Sequence, residues 1–211
     1  MTATLVKICG LRTEAALDAA LDGGADYVGL VFFPPSPRNI APEAAAPLAE
    51  RARGRAKIVA LLVDPDDALI ERVVAAANPN LLQLHGDETP ERVRSIRQRF
   101  GKDVIKAIKV KSAEDVADAA RYAGAADLIL FDARPPAGAD RPGGHGATFD
   151  WPILEAAAHP YMLSGGLTPD NVAEAIASTG AHMVDVSSGV ERAPGEKDAG
   201  LIRRFLAAAK G

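Results

Sequence analysis

The fold is decided by the stretch LVKICGLRTEAALDAALDGGADYVGLVF, residues 5–32. Leu5–Cys9 is a short, β-rich apolar run, and Thr13–Asp22 has helical spacing behind a residue that favours a helix start. Asp26–Phe32 is a second apolar run of strand length. A strand, a helix and a strand in this order predict one parallel β–α–β unit.

The same unit recurs to the end of the chain. Further strands are predicted in the stretches AKIVALLVD, NLLQLHG, DVIKAIKV, ADLILFD, PYMLSGG and AHMVDVSSG. A helical segment follows each strand; the sixth is FDWPILEAAA and the last is residues 197–210. Eight such units without a linker predict an α/β fold, a single (β/α)8 TIM barrel over residues 1–211. An open doubly wound sheet is the alternative, but no G-x-G-x-x-G motif follows the first strand.

Composition limits the compartment and the partners. The chain has 211 residues, a formal net charge of −4 and one cysteine. The sequence contains no basic stripe of the kind that predicts a nucleic-acid partner. It also contains no apolar stretch long enough for a membrane span or a signal peptide. One cysteine excludes an intrachain disulfide and fits a reducing compartment. We therefore expect a cytoplasmic protein, and the sequence does not distinguish a monomer from a homodimer.

Polar residues follow the predicted strands at the end where a barrel of this type carries its active site. They are Cys9, Asp64, His85 and Asp132, with Arg38 in the loop after the second strand. Alternation along the first strand turns Lys7 and Cys9 inward, and along the fourth it turns Gln83 and His85 inward.

Cys9 and Asp132 each have two interpretations. A lone cysteine is more often a small buried side chain than a catalytic group. With Lys7 on the same face, however, the cation would lower the pKa of the Cys9 thiol and favour the reactive thiolate. Asp132 could cap the following loop, or could be a carboxyl with a raised pKa that donates a proton.

Two glycine-containing loops predict a phosphate site. Gly165 and Gly166 follow the seventh strand, and Ser187, Ser188 and Gly189 follow the eighth. The loops after strands seven and eight commonly hold phosphate in this fold, although two ordinary turns are the alternative. Arg38 is either a solvated loop charge or a clamp for a carboxylate.

Lys7 needs a partner inside a barrel, and strand eight neighbours strand one on closure. Asp185 is the inward carboxylate of strand eight, so we predict a Lys7–Asp185 ion pair. The histidines have no metal-ligand spacing, which predicts acid–base chemistry without a metal or a cofactor.

The motifs VKICGLR, GADYVGLVFFPPSPRNI, LLQLHG, GGHGATFDW, LSGGLTPDNV and VDVSSGVE occur in this order along nearly the whole chain. In combination they resemble the phosphoribosylanthranilate isomerases of tryptophan biosynthesis. The resemblance implies an Amadori rearrangement of a small phosphoribosyl substrate, with Asp132 as general acid and Cys9 as general base. It also implies that Arg38 binds the anthranilate carboxylate and that Gly165, Gly166, Ser188 and Gly189 bind the phosphate. Gln83 and His85 complete the expected substrate-binding set.

One position departs from the family pattern. The family often has threonine after the strand-six aspartate, whereas this chain has Ala133, which supplies no hydroxyl. Arg134 either compensates for this loss or is only an exposed charge, and we hypothesise that the loop 135–146 closes over the substrate. Two other functions compete with this one. The chain could be another phosphosugar isomerase, or a phosphoribosyl-binding barrel without catalysis.

Overall fold

The structure of the chain is a computed structural model that describes residues 3–133, 151–157 and 160–211. Its barrel strands are β1 (Leu5–Cys9), β2 (Tyr27–Val31), β3 (Lys57–Leu62), β4 (Leu81–Leu84), β5 (Asp103–Val110), β6 (Leu128–Ala133), β7 (Tyr161–Leu163) and β8 (Met183–Val186). Two short strands follow, β9 (Glu191–Ala193) and β10 (Glu196–Lys197). The α-helices are α1 (Glu14–Asp22), α2 (Pro42–Ala52), α3 (Asp67–Ala77), α4 (Pro90–Phe100), α5 (Ala113–Asp118), α6 (Val172–Thr179) and α7 (Ala199–Lys210). Short 3₁₀ helices cover Ala119–Tyr122, Trp151–Ala156 and Ser188–Val190.

The strands β1 to β8 form a closed parallel barrel in sequence order. Closure is made by β1 against β8, where Lys7 lies opposite Asp185 in the register. Capping side chains stabilise the starts of helices between the strands: Thr13 accepts a hydrogen bond from Ala16 N, and Asp66 accepts one from Leu69 N. The predicted (β/α)8 barrel is confirmed, and the open doubly wound sheet is wrong.

The barrel interior changes from apolar to polar along the strands. One buried cluster inside the barrel consists of Tyr27, Val59, Leu81, Ile105, Ala107, Leu130 and Met162. The larger core lies between the outer face of the strands and the helices, and it includes Val6, Ile8 and Leu84. Buried polar side chains occupy the inward positions nearer the C-terminal ends of the strands: Lys7, Gln83, His85, Asp132 and Asp185. That end of the barrel is therefore the one equipped for chemistry.

The sixth, seventh and last predicted helices differ from the structure, and the fifth continues beyond α5 as the 3₁₀ helix Ala119–Tyr122. The sixth, FDWPILEAAA, is a 3₁₀ helix over Trp151–Ala156 where it is described, because Ala157 N–H bonds back three residues to Leu154 O. The seventh, which the sequence predicts over TPDNVAEAIAST, begins at Val172, since Asn171 Oδ1 accepts from Thr168 N and fixes a turn before the helix. The last begins after Asp198, whose side chain caps α7, and Lys197 belongs instead to β10.

Within the described ranges, no helix combines the length and the apolar character that crossing a membrane requires.

Candidate active site

Cys9 is the last residue of β1, and its side chain points into the barrel mouth. It is 3% exposed, and Gly29 lies opposite it in the register of β2. A β-carbon added at Gly29 would lie 2.9 Å from Cys9 Sγ, so the neighbouring strand has room for the sulfur only because it carries glycine there. The sulfur is therefore held in a fixed place at the strand end.

Lys7 lies next to the thiol on the same inward face. Its Nζ is 2.8 Å from Asp185 Oδ1, which confirms the predicted ion pair across the β1–β8 closure. Ser164 Oγ donates to the other oxygen of Asp185 at 3.1 Å. Burial opposes the charge of Lys7, but Asp185 and the adjacent Cys9 outweigh it, so the pKa of Lys7 is raised.

The expected lowering of the Cys9 pKa is wrong for this structure. Burial raises the pKa of the Cys9 thiol above its ordinary value of 9.0, and this outweighs the opposite effect of Lys7. The charges of Asp185 and Lys197 also act on the thiol, the first raising its pKa and the second lowering it. The thiol form therefore dominates at neutral pH.

Asp132 is at the end of β6, buried and turned into the same mouth as Cys9. His85 Nε2 lies 3.2 Å from Asp132 Oδ2, and His85 Nδ1 lies 3.0 Å from Gln83 Nε2. The structure thus places three predicted site residues in one hydrogen-bonded chain, which runs from Gln83 through His85 to the carboxyl of Asp132. Gln83 Oε1 is buried with no hydrogen-bond partner among the described residues. A flip of that amide would reverse the direction of the whole chain.

The loop after His85 is anchored by a buried ion pair that the sequence did not reveal. Glu88 Oε2 lies 2.7 Å from Lys106 Nζ, which also donates to Gly86 O at 2.7 Å. Glu88 Oε1 accepts from Asp64 N at 2.9 Å, which ties the loop after β3 to the loop after β4. Asp64 therefore has a role in holding loops at the rim. These bonds fix the backbone that carries His85.

Arg38 is buried and paired, so the solvated alternative is wrong. Its Nε and Nη2 each donate to a carboxylate oxygen of Glu191 at 2.7 Å, in a bidentate pair. Glu191 ends the motif DVSSGVE and begins β9. Burial would raise the pKa of Glu191, but the bonds from Arg38 and Lys197 outweigh it and lower that pKa.

Lys197 is a further buried cation that sequence reasoning assigned to a helix. Its Nζ lies 2.7 Å from Glu191 Oε1 and 2.8 Å from Ser187 O. The 3₁₀ pattern of Ser188–Val190 and the short hairpin β9–β10 bring Lys197 back against the end of β8. The only signal in the sequence was the Pro-Gly pair between the two short strands, which is typical of a turn.

The two predicted phosphate loops lie against each other. Gly165 and Gly166 follow β7, and Ser188 and Gly189 form the start of the 3₁₀ helix after β8. A β-carbon at Gly189 would lie 1.9 Å from Leu167 O, so this contact between the loops requires glycine. Backbone N–H groups at the start of a short helix after strand eight are the usual anion site of this fold.

Several predicted features lie outside the described residues. They are Arg134 and the loop 135–146; two of the histidines that lack metal-ligand spacing, His145 and His159, lie there as well. Ala133 is described; it ends β6 as a buried residue. Over the described part of the chain, no group of three or more His, Cys, Asp or Glu side chains is arranged to hold a metal ion.

Comparison with known proteins gives one consistent result. Residues 6–208 match the family model described as N-(5'phosphoribosyl)anthranilate (PRA) isomerase. The N-(5'-phosphoribosyl)anthranilate isomerase of Bradyrhizobium sp. (strain ORS 278) is 58% identical over 98% of this chain and 95% of its own length. The enzyme of that name from Paramagnetospirillum magneticum is 55% identical over 98% of this chain and 97% of its own.

Solved structures agree with the sequence relatives. The phosphoribosyl anthranilate isomerase from Thermotoga maritima has a TM-score of 0.86 at 37% identity, covering 99% of both chains. A phosphoribosyl anthranilate isomerase in complex with reduced 1-(o-carboxyphenylamino)-1-deoxyribulose 5-phosphate has a TM-score of 0.84 at 35% identity, again over 99% of both chains. With its motifs in order on a barrel of the same fold, the chain belongs to the N-(5'-phosphoribosyl)anthranilate isomerase family.

Proposed function

We propose that the chain isomerises N-(5'-phosphoribosyl)anthranilate in tryptophan biosynthesis with Asp132 as general acid and Cys9 as general base. The product is 1-(2-carboxyphenylamino)-1-deoxyribulose 5-phosphate. One observation carries the assignment: Cys9, the last residue of β1, and Asp132, the last but one of β6, lie at the C-terminal ends of two parallel strands of one closed barrel and are turned into the same mouth. The catalytic unit is the single barrel of residues 1–211.

The chemistry requires one proton donor and one proton acceptor. Asp132 gives a proton to the ring oxygen of the ribose, and the C1–O bond breaks to leave a Schiff base. Cys9 then takes the proton from C2, and the electron pair of that C–H bond forms an enolamine. Tautomerisation of the enolamine gives the ketone. Because this is an isomerisation with no net oxidation, the proposal includes no cofactor.

The surroundings of the two groups support these roles. Cys9 must become a thiolate to accept a proton, and the ammonium of Lys7 beside it stabilises that form. The hydrogen bond between His85 and Asp132 holds the carboxyl in one orientation. Through these contacts Gln83 and His85 orient the Asp132 carboxyl. This role is additional to the direct contact with the substrate that the sequence predicts for both residues.

Two anchors at opposite ends of the substrate would hold the sugar between acid and base. We propose that Arg38 binds the anthranilate carboxylate while keeping Glu191 as its protein partner. Gly165, Gly166, Ser188 and Gly189 are proposed to bind the phosphate through backbone N–H groups. Fixing both ends of the substrate converts binding energy into orientation at the reacting carbon atoms.

Replacement of either catalytic residue tests the proposal. We expect Cys9→Ala and Asp132→Asn to fold like the wild type and to lose kcat by about 10²- to 10⁴-fold. The loss of fluorescence from the anthranilate substrate measures turnover. Asp87→Asn is the matched control, since Asp87 is an exposed carboxylate at the same rim. Wild-type turnover in either catalytic variant would exclude that residue from its role.

Partners and location complete the proposal. The substrate is a small phosphorylated molecule, and we propose no nucleic-acid or membrane partner. A cytoplasmic location fits a catalytic thiol that must stay reduced. One solved relative from Thermotoga maritima is described as dimeric. For this chain, sedimentation of the purified protein distinguishes the monomer from the homodimer.

A further inference from the structure

Lys197 is a buried ammonium group that the proposed acid–base chemistry does not use. Its side chain is 2% exposed, although it lies on the two-residue strand β10. An ammonium removed from water is strongly destabilising unless hydrogen bonds and an opposite charge replace the water. Lys197 has both, since it donates to Glu191 Oε1 at 2.7 Å and to Ser187 O at 2.8 Å.

One set of contacts leads from Lys197 to the backbone of Cys9. Lys197 Nζ is 3.2 Å from Ser187 Oγ, and Ser187 Oγ in turn donates to Cys9 O at 3.2 Å. Only the Ser187 hydroxyl therefore stands between the ammonium and the backbone of the proposed base. This link crosses from the end of β8 to the end of β1, where the barrel closes.

A second set leads from Lys197 to the proposed carboxylate clamp. Glu191 Oε1 accepts from Lys197 and from Arg38 Nε, both at 2.7 Å. The carboxylate of Glu191 thus determines where both cations lie. The loop that carries Arg38 follows β2, so Lys197 connects parts of the mouth that belong to three different strands.

We propose that Lys197 is a positioning residue that fixes Cys9 and Arg38 relative to each other, through Ser187 on one side and Glu191 on the other. The proposal rests on the roles given above to Cys9 and Arg38. The β9–β10 hairpin then contributes to the site, because it brings the ammonium of Lys197 between Cys9 and Arg38.

The charges around the thiol agree with this geometry. Lys7, Asp185 and Lys197 all act on Cys9, and the two lysines favour the thiolate against the effect of burial. Burial lowers the pKa of Lys197 to about 8, with Glu191 acting in the opposite direction and Arg38 adding to the decrease. Up to about pH 8, where Lys197 keeps its charge, removal of that charge should therefore reduce the thiolate fraction of Cys9 as well as loosen the clamp.

The experiment compares Lys197→Met with Arg192→Met in the full chain. Arg192 is the matched control, because it is an exposed cation of the same hairpin that pairs with Glu196. Two quantities are measured: kcat and KM for the anthranilate substrate, and the pH titration of the thiolate by its ultraviolet absorbance. Cys9 is the sole cysteine, so the Cys9→Ala protein provides the blank.

We expect Lys197→Met to lower kcat/KM by about 10- to 100-fold, with kcat falling and KM rising. Up to about pH 8 its thiolate fraction should fall roughly three- to tenfold. Arg192→Met should change neither quantity. A lysine that only stabilises the hairpin would leave the titration of Cys9 unchanged, so an unchanged titration in folded Lys197→Met overturns the proposal.

A second variant covers the case in which Lys197→Met does not fold. Ser187→Ala removes the hydroxyl between Lys197 and Cys9 and keeps the Lys197–Glu191 pair. Here a fall in kcat and a higher-pH titration of Cys9 support the proposal, and wild-type values for both overturn it. The thiolate titration does not depend on turnover. A normal rate in Cys9→Ala would therefore reject the role of the thiol separately from its link to Lys197.

Discussion

At the scale of single residues, the position of Cys9 follows from alternation along β1, but its surroundings do not. A period of two places Lys7 and Cys9 on the inward face, and the residue type suggests the chemistry. That the thiol is buried deeply enough to raise its pKa depends on β2, where Gly29 leaves space for the sulfur. Residues distant in sequence determine this, so the local motif could not reveal it.

Gly29 offers a test of how closely the sulfur must be placed. In Gly29→Ala the new methyl group would lie 2.9 Å from Cys9 Sγ and 3.1 Å from its Cα, so the end of β1 must shift. We expect kcat to fall by about 10²-fold, since displacement of a reacting group by about 1 Å has that effect. Steady-state kinetics and the thermal unfolding midpoint are measured together. Wild-type kcat in the folded variant would show that the sulfur tolerates displacement.

The partner of Arg38 shows the limit of sequence reasoning at this scale. Arg38 and Glu191 are 153 residues apart, and neither residue type alone distinguishes a buried pair from two solvated charges. Glu88 and Lys106 are a similar case, because their ion pair depends on how β4 and β5 align. Long-range pairing of charges becomes visible only once the strands have an order in the barrel.

At the scale of elements, the pair that closes the barrel could be predicted because the topology dictates it. Once eight parallel strands form a barrel, β1 must meet β8, and the inward lysine of one needs the inward carboxylate of the other. The observed distance of 2.8 Å between Lys7 Nζ and Asp185 Oδ1 confirms that reasoning. The sequence was therefore sufficient to predict both the fold and this one contact of the site.

The Lys7–Asp185 pair predicts a characteristic pattern of stability. Lys7→Met leaves a buried carboxylate without its cation, and we expect the free energy of unfolding to fall by about 3–5 kcal/mol. Lys7→Met combined with Asp185→Leu removes both charges and should recover most of that loss. Chemical denaturation of the wild type, both single variants and the double variant measures the coupling. Additive losses in the double variant would mean that the two charges do not interact.

The β9–β10 hairpin could not be predicted in the same way. Its strands have three and two residues, too few to show alternation, and their pairing is irregular between Glu196 and Lys197. The amphipathic pattern of α7 continues N-terminally into this segment. The sequence therefore predicts a helix that includes Lys197. The cap at Asp198 separates the two elements, and it depends on a hydrogen bond to Leu201 N.

At the scale of the whole molecule, the chain divides its barrel into an apolar layer and a polar layer. The apolar layer supplies buried area for folding, and the polar layer sits where the strand ends meet the loops. The repeated β–α pattern was sufficient to predict the barrel, because it is an average over many residues, and the residues at the strand ends predicted the polar rim. Loop geometry is not such an average, and it accounts for most of the differences from prediction.

The response of the whole molecule to acid should depend on Glu191. Its pKa in the folded chain is lowered from 4.5, so its ionised form contributes stability above that pH and loses the contribution as the pH falls through the lower folded-state value. We expect Glu191→Gln to be less stable than the wild type at pH 7, with the difference narrowing below about pH 4.5. Denaturant unfolding from pH 7 to pH 3 measures it. A difference that stays constant over this range would contradict the expectation.

The burial of Cys9 also protects the protein from oxidants. Peroxides react with an accessible thiolate far more readily than with a protonated, enclosed thiol. Cys9 is 3% exposed and its pKa is raised, so the barrel holds its sulfur in the form that hydrogen peroxide attacks slowly. The same enclosure that makes ionisation of the sulfur unfavourable thus slows its oxidation.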